Sequence, residues 1–346
     1  MKPKQNIAKT AAFYRPQRHR DTIVFVHGLT GHYWKTWDAF PKLLESDKNL
    51  PELDILLWGY KTKLIPGVND IGTEGAHLIG ALTSTIQNHN RLFLVGHSMG
   101  GLIILKGLVD EMSCQRAQNM PSNAVSWISL FASPVSGVSS AAIIKNTFGR
   151  LRLLGKLMNK QLRDLARGTH CDHLLDQTHR RIYSPNNEDS SARMIPIRMI
   201  LGTKDSAVDE PDRINTLARY SKLTPIQLNE THKTIKSPID CYDLRYRALV
   251  DDIQEGLSYS FHELCKKCKD SNKNIRNSAW LDLYERYGSM IDSRIIDLIK
   301  ESNLRDQATT LCLYFIVEDG SARRRPPFDT IIRSAQIVKR KLLHKL

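Results

Sequence analysis

Leu92-Phe93-Leu94-Val95-Gly96-His97-Ser98-Met99-Gly100-Gly101-Leu102-Ile103-Ile104 sets an apolar run before a glycine-flanked serine and a second apolar run after it. The first run is short and unbroken, the pattern of a strand buried on both faces. The second continues through Leu108 and Val109 and reads as a buried helix. Gly96 to Gly100 matches G-x-S-x-G, in which a strained turn between strand and helix lifts the serine hydroxyl clear of a sheet. The glycines let neighbouring backbone pass closely, and the N-terminus of the following helix directs partial positive charge toward developing negative charge.

Working outward, the same strand-turn-helix rhythm recurs. Thr22–Val26 is a β-branched and aromatic block closed by His27-Gly28-Leu29-Thr30-Gly31, and Leu53–Tyr60 is a second. A helix passes through Ile79, Leu82 and Ile86, and further strands are expected at Val125–Ala132, Ile195–Leu201 and Pro225–Leu228. Repeated β-then-α order implies an α/β fold with a mostly parallel sheet flanked by helices on both faces. Between residues 135 and 190 the rhythm lapses: Ile143–Leu162 is basic and helical, and a polar loop follows at Ser184–Ser191, so an inserted helical cap is expected there. Past Glu255, Leu283, Tyr287, Ile291, Ile295 and Leu298 recur at helical spacing. The organisation is therefore a basic N-terminal arm (1–21), a catalytic-sized domain (22–255) and a helical C-terminal region (256–346).

A chain of 346 residues that is 41% hydrophobic can bury one large core with an appendage, or two cores. No apolar stretch approaches the roughly 20 residues that cross a bilayer; the longest lies around Leu311–Val317. The arm carries Lys2, Lys4, Lys9, Arg15, Arg18 and Arg20 with no acid and no apolar core of a secretory signal. It reads as a solvated basic tail, with organelle targeting the open alternative, and the default location is the cytoplasm. Six scattered cysteines are too sparse for a disulfide framework, and the Cys265/Cys268 pair lacks a second pair at zinc spacing. The net charge of +14 suits anionic lipid, acidic substrates or nucleic acid. Nucleic-acid binding through Arg323–Arg325 and Lys339–Lys341 rests on charge alone, and a solvated face explains those residues. The basic, leucine-rich Lys145–Lys160 stretch is either a contact for an anionic membrane surface or the outer face of the cap.

A serine hydroxyl needs a histidine to take its proton and an acid to orient that histidine, in the chain order Ser, acid, His. Asp205 follows a late strand in Gly202–Val208, with Asp209 its rival. His232, in Asn229-Glu230-Thr231-His232-Lys233, is the only histidine between Asp205 and His262. His97 reads as a packing neighbour and His27 as a brace. His170, Cys171, His173 and His179 fit no zinc pattern. Two backbone N–H groups should face the oxyanion, from Met99 and from Leu29 in the loop after the first strand. This chemistry requires no metal or organic cofactor.

With these residues in place, the chain resembles the lipase-like serine esterases of the α/β-hydrolase fold grouped with GPI inositol-deacylase and the serine-active-site-containing proteins. Three blocks carry the likeness: Ile23–Leu29 with Trp34 and Trp37 downstream, Leu56–Tyr60, and Leu94–Gly101. It spans about Thr22 to Asp251 and implies Ser98, Asp205 and His232 as a catalytic triad acting on lipid or other carboxylic esters through an acyl-enzyme. Thr30 stands where relatives often carry glycine. The alternative function is a regulatory or interaction protein that uses a hydrolase scaffold and partner-binding C-terminal helices.

Overall fold

In the computed structural model the described residues are 5–8, 11–15, 21–37, 39–62, 68–85, 91–114, 121–137, 160–165, 170–183, 194–208 and 223–267. Eight strands, β1 (Gln5–Ala8), β2 (Ala11–Arg15), β3 (Asp21–Val26), β4 (Asp54–Trp58), β5 (Arg91–His97), β6 (Val125–Phe131), β7 (Ile197–Gly202) and β8 (Ile226–Leu228), form one sheet in the order β1-β2-β4-β3-β5-β6-β7-β8. From β4 to β8 all neighbours are parallel. The six apolar runs expected as strands are these six parallel strands, and the architecture is that of an α/β-hydrolase.

The N-terminal arm corrects the reading of a solvated tail that precedes the first strand. β1 and β2 form an antiparallel pair, and β2 pairs antiparallel with β4, Ala12 opposite Leu57. The strand at Asp21 is thus the third of the sheet. The open edge of β4 supplies β2 with the hydrogen-bonding partner that so short a segment needs, and β2 does the same for β1.

β3 to β7 are buried along their whole length, which is why their sequences show runs rather than alternation. Their side chains still alternate between faces. Val24, Val26, Leu56, Leu92, Leu94 and Leu130 pack with α2 (Ile71–Thr85) and α3 (Met99–Ser113). Ile23, Phe25, Ile55, Leu57, Phe93 and Val95 pack on the opposite face with Phe40 and Leu44 of α1 (Ala39–Ser46). Tyr246, Leu249 and Ile253 of the last described helix join this second cluster. One short helix, α4 (Pro121–Ala124), leads into β6.

The described part of the insert does not stand apart from the domain. It contains α5 (Lys160–Leu165), α6 (His170–Thr178) and a π-helical turn at His179–Tyr183. Cys171, Leu174, Leu175 and Ile182 are buried in the α2/α3 core. Asp164 accepts from Ile71 N–H at the start of α2, a charge at a helix N-terminus. Residues 143–159 of the expected cap, with most of the basic stretch, lie outside the described residues.

The chain divides into two compact units, Met1–Leu257 and Ser258–Leu346. The last helix, α7 (Leu244–Lys267), is anchored to the sheet where Asp252 accepts from Ser129 Oγ at 2.6 Å and pairs with Arg198, which also meets Glu255 at 2.8 Å. Beyond residue 267 the expected C-terminal helices and Arg323–Arg325 lie outside the described residues. Among the described residues no helix is long and apolar enough to cross a membrane, and no group of His, Cys, Asp or Glu is placed to hold a metal.

Candidate active site

The C-terminal ends of the central strands deliver the site. β5 ends at His97, and the chain turns at Ser98 with φ 54° and ψ −129° before α3 begins at Met99. A non-glycine residue held at positive φ costs on the order of 1–3 kcal/mol and persists only where its surroundings over-determine it. Here Ser98 N–H donates to Phe131 O of β6 at 2.9 Å, and Gly101 N–H donates back to Ser98 O at 3.0 Å. Gly100 has no room for a side chain, because a Cβ there would lie 2.2 Å from Val26 O and 2.5 Å from His27 O. The elbow is therefore pressed against the end of β3 by backbone on both sides.

Ser98, Asp205 and His232 come together although 134 residues separate the first from the last. His232 Nε2 lies 2.9 Å from Ser98 Oγ, and His232 Nδ1 lies 2.8 Å from Asp205 Oδ2. An ionised carboxylate only accepts, so Nδ1 carries the proton and Nε2 is left to accept from the serine hydroxyl. The other oxygen of Asp205 accepts from Ala207 N–H at 2.7 Å and Val208 N–H at 3.1 Å. That turn after β7 fixes the carboxylate, whose side chain is 1% exposed against 23% for His232. Asp209, the rival acid, lies outside the described residues.

The loop after β3 reaches the elbow from the other side. A Cβ on Gly28 would sit 2.7 Å from Ser98 Cβ, so only glycine brings this loop so close to the serine. Gly31 N–H donates to Gly28 O at 3.0 Å, closing a turn around Leu29 and Thr30. Thr30 has φ 59°, the conformation for which glycine is usually chosen, and its N–H is tied to Thr62 Oγ1 at 3.0 Å. The departure from glycine at this position thus leaves the turn intact. Among the described residues neither Leu29 N–H nor Met99 N–H has a protein acceptor, as is needed of groups that would meet an oxyanion.

His27 braces this loop. Its ring stacks on Tyr60 at 4.5 Å, Nδ1–H donates to Gly28 O at 2.9 Å, and Tyr60 O–H donates to His27 O at 2.8 Å. Burial lowers its pKa to about 4, so the ring is neutral and Nε2 can accept from Tyr60 N–H. Tyr60 is a contributor that sequence alone left without a role, although it stands directly after a strand in Trp58-Gly59-Tyr60.

His97 does more than pack. Its Nε2–H donates to the carbonyl oxygen of His232 at 2.9 Å, and its ring lies 4.8 Å from the His232 ring and edge-on to Trp37. Burial, and then the neighbouring His232, hold its pKa well below the usual histidine value, so it stays neutral. A donor bonded to the main chain of His232 sets the height of that imidazole above Ser98. His97→Ala is expected to lower kcat about 10–100-fold, the cost of a small misplacement of a reacting group, with KM little changed. His97→Gln, which keeps a donor, should recover part of the rate; steady-state kinetics alongside thermal melts check both.

In the insert, Cys171 Sγ is buried and bonded to Asp164 O at 3.1 Å, and the exposed His170 approaches Asp164 Oδ1 at 3.9 Å.

Residues 17–156 match the family described as "Putative serine esterase (DUF676)". Among curated proteins none matches the chain. Among solved structures, the mature Bacillus licheniformis lipase BlEst2 is 18% identical, with 71% of this chain and 97% of that one covered and a TM-score of 0.44. The Paleococcus ferrophilus monoacylglycerol lipase is 13% identical, covering 71% of this chain and 98% of its own, at a TM-score of 0.46. Est1E from Butyrivibrio proteoclasticus is 14% identical, covering 72% and 92%, at a TM-score of 0.41.

Proposed function

On the premise that this chain is a carboxylic ester hydrolase of the α/β-hydrolase fold, with the serine-esterase match running through its elbow, we propose that Ser98 is its nucleophile and that it cleaves lipid or other acyl esters through an acyl-enzyme. The observation that carries this reading is the continuous chain from Ser98 Oγ to His232 to Asp205, at 2.9 and 2.8 Å. His232 Nε2 takes the hydroxyl proton as Oγ attacks the ester carbonyl, and Asp205 stabilises the imidazolium that forms. The tetrahedral oxyanion is met by the N–H groups of Leu29 and Met99. Collapse expels the alcohol, which receives the proton from His232. Water activated by the same histidine then hydrolyses the acyl-enzyme.

Asp205→Asn tests the assignment with little disturbance of the fold. An asparagine keeps its carbonyl toward Ala207 and Val208 and turns an amide N–H₂ toward His232, which forces the imidazole into the tautomer protonated at Nε2. That tautomer cannot accept from Ser98. Hydrolysis of a p-nitrophenyl ester should fall about 10⁴-fold with the melting temperature nearly unchanged. A loss smaller than tenfold would point to a different acid, with Asp209 the first to replace.

A further inference from the structure

The loop that carries Leu29 is held at both ends by one short segment that follows β4. At its start Tyr60 O–H donates to His27 O at 2.8 Å, and at its far end Thr30 N–H donates to Thr62 Oγ1 at 3.0 Å. Gly28 and Leu29 lie between these two points. Thr30 is the more demanding of the two, since a β-branched residue at φ 59° is a conformational outlier that persists only where its neighbours impose it. The turn's own hydrogen bond, from Gly31 N–H to Gly28 O, does not use the Thr30 N–H, and the Thr62 hydroxyl is what receives it.

The middle of the holding segment is itself held, and by the insert. Gln161 of α5 is fully buried, and its Nε2–H donates to Lys61 O at 3.1 Å. A carbonyl oxygen only accepts, which fixes the orientation of the amide. Burying a carboxamide is unfavourable unless it is hydrogen-bonded, and this one directs its donor at the main chain between Tyr60 and Thr62. Nor is α5 free to drift. Asp164 accepts from Ile71 N–H at 2.9 Å, Cys171 S–H donates to Asp164 O at 3.1 Å, and Leu165 is buried in the α2/α3 core.

We infer that Gln161 and Thr62 are positioning residues for the oxyanion donor at Leu29. The insert fixes Lys61 O through Gln161, and Thr62 Oγ1 fixes the N–H of Thr30, the residue after the donor. This gives the described part of the insert a share in the chemistry, and it rests on the ester-hydrolase reading of Ser98. Both residues act through main chain and not on the ester. An oxyanion donor is aimed at the place where negative charge develops, so its misplacement is felt in the transition state more than in the bound ester. Loss of either side chain should therefore lower kcat and leave KM nearly unchanged.

The test is steady-state hydrolysis of a water-soluble p-nitrophenyl ester by the full chain, well below the melting temperature of each variant. Thr62→Val keeps the shape of the side chain and removes the acceptor; kcat should fall about 10–100-fold, the scale of a misplacement of about 1 Å. Thr62→Ser, which restores the hydroxyl, should return most of the rate. Gln161→Met, similar in size but without a donor, should lower kcat several-fold. Because both act on the same loop, the double variant Thr62→Val/Gln161→Met should be no more than about twofold slower than Thr62→Val alone. Full rate in Thr62→Val would overturn the proposal, as would a Thr62→Ser protein as slow as Thr62→Val. So would a double variant whose loss is the product of the two single losses, or a rise in KM at constant kcat, which would assign these residues to substrate binding. A folded wild type that hydrolyses no ester and takes no fluorophosphonate label would overturn the hydrolase reading and this proposal with it, whereas an active wild type matched by Thr62→Val overturns the positioning role alone.

Discussion

Ser98→Ala will abolish covalent labelling by a fluorophosphonate probe and lower ester hydrolysis by about 10⁴-fold or more, the scale on which loss of a triad nucleophile is felt. The probe phosphonylates only a hydroxyl whose proton is being withdrawn, and Ser98 Oγ is 2.9 Å from the imidazole nitrogen left free to accept it. The variant should fold. Alanine sits at φ 54° no worse than serine does, and the hydroxyl has no backbone partner whose loss would strand a buried group. Peptide mass spectrometry of the labelled wild type should place the adduct on Ser98 alone. A folded wild type that takes no label would count against the esterase reading and in favour of the regulatory scaffold, because a silent triad is what a domain kept only for its shape would show.

Gly100→Ala is expected to give the largest loss of stability of any single methyl addition around the site, about 3 kcal/mol or more, the upper range for forcing atoms into a packed interior. The added carbon would lie 2.2 Å from Val26 O and 2.5 Å from His27 O. Those atoms are main chain at the end of β3, so no rotamer change can make room. Relief requires the elbow to move away from the loop that carries Gly28 and Leu29. Activity should therefore fall with stability, and the melting temperature should drop by several degrees. Gly80→Ala provides the contrast: it lies in α2 with nothing within 4 Å of an added Cβ. Replacing glycine by alanine in an open helix position stabilises by roughly 0.5–1 kcal/mol. Paired denaturation curves for the two variants should move in opposite directions; a Gly100→Ala protein as stable as the wild type would mean that the elbow is not pinned by β3.

The candidate site shows how far a sequence can be read. Ser98 was legible because G-x-S-x-G is a local motif whose context, an apolar strand before and an apolar helix after, is local too. His97 occupies the variable slot of that motif, and its Nε2–H finds the carbonyl of a residue 135 positions away. Nothing in the neighbouring sequence marks such a bond. Thr30 is similar: sequence marks it as a departure from glycine, and only the turn geometry with the Thr62 hydroxyl explains how a β-branched residue is held there. Tyr60 likewise acts through the main-chain oxygen of a distant residue, where the acceptor carries no side-chain signature.

What the sequence determined by itself is the parallel core, β3 to β8, and the three residues Ser98, Asp205 and His232 that the fold brings within hydrogen-bonding reach. Strands buried on both faces read as largely apolar runs, and β3 to β7 are buried in this way. Tertiary structure alone decided the rest. β2 exists as a strand because β4 offers it an open edge and β1 because β2 offers the next, and their own short sequences do not announce it. The reach of His97 to His232 and the brace of Tyr60 on His27 depend on which loops meet at the strand ends. Hydrophobic period records what a residue buries against its own element, whereas these contacts join segments whose spacing along the chain carries no information about their distance in space.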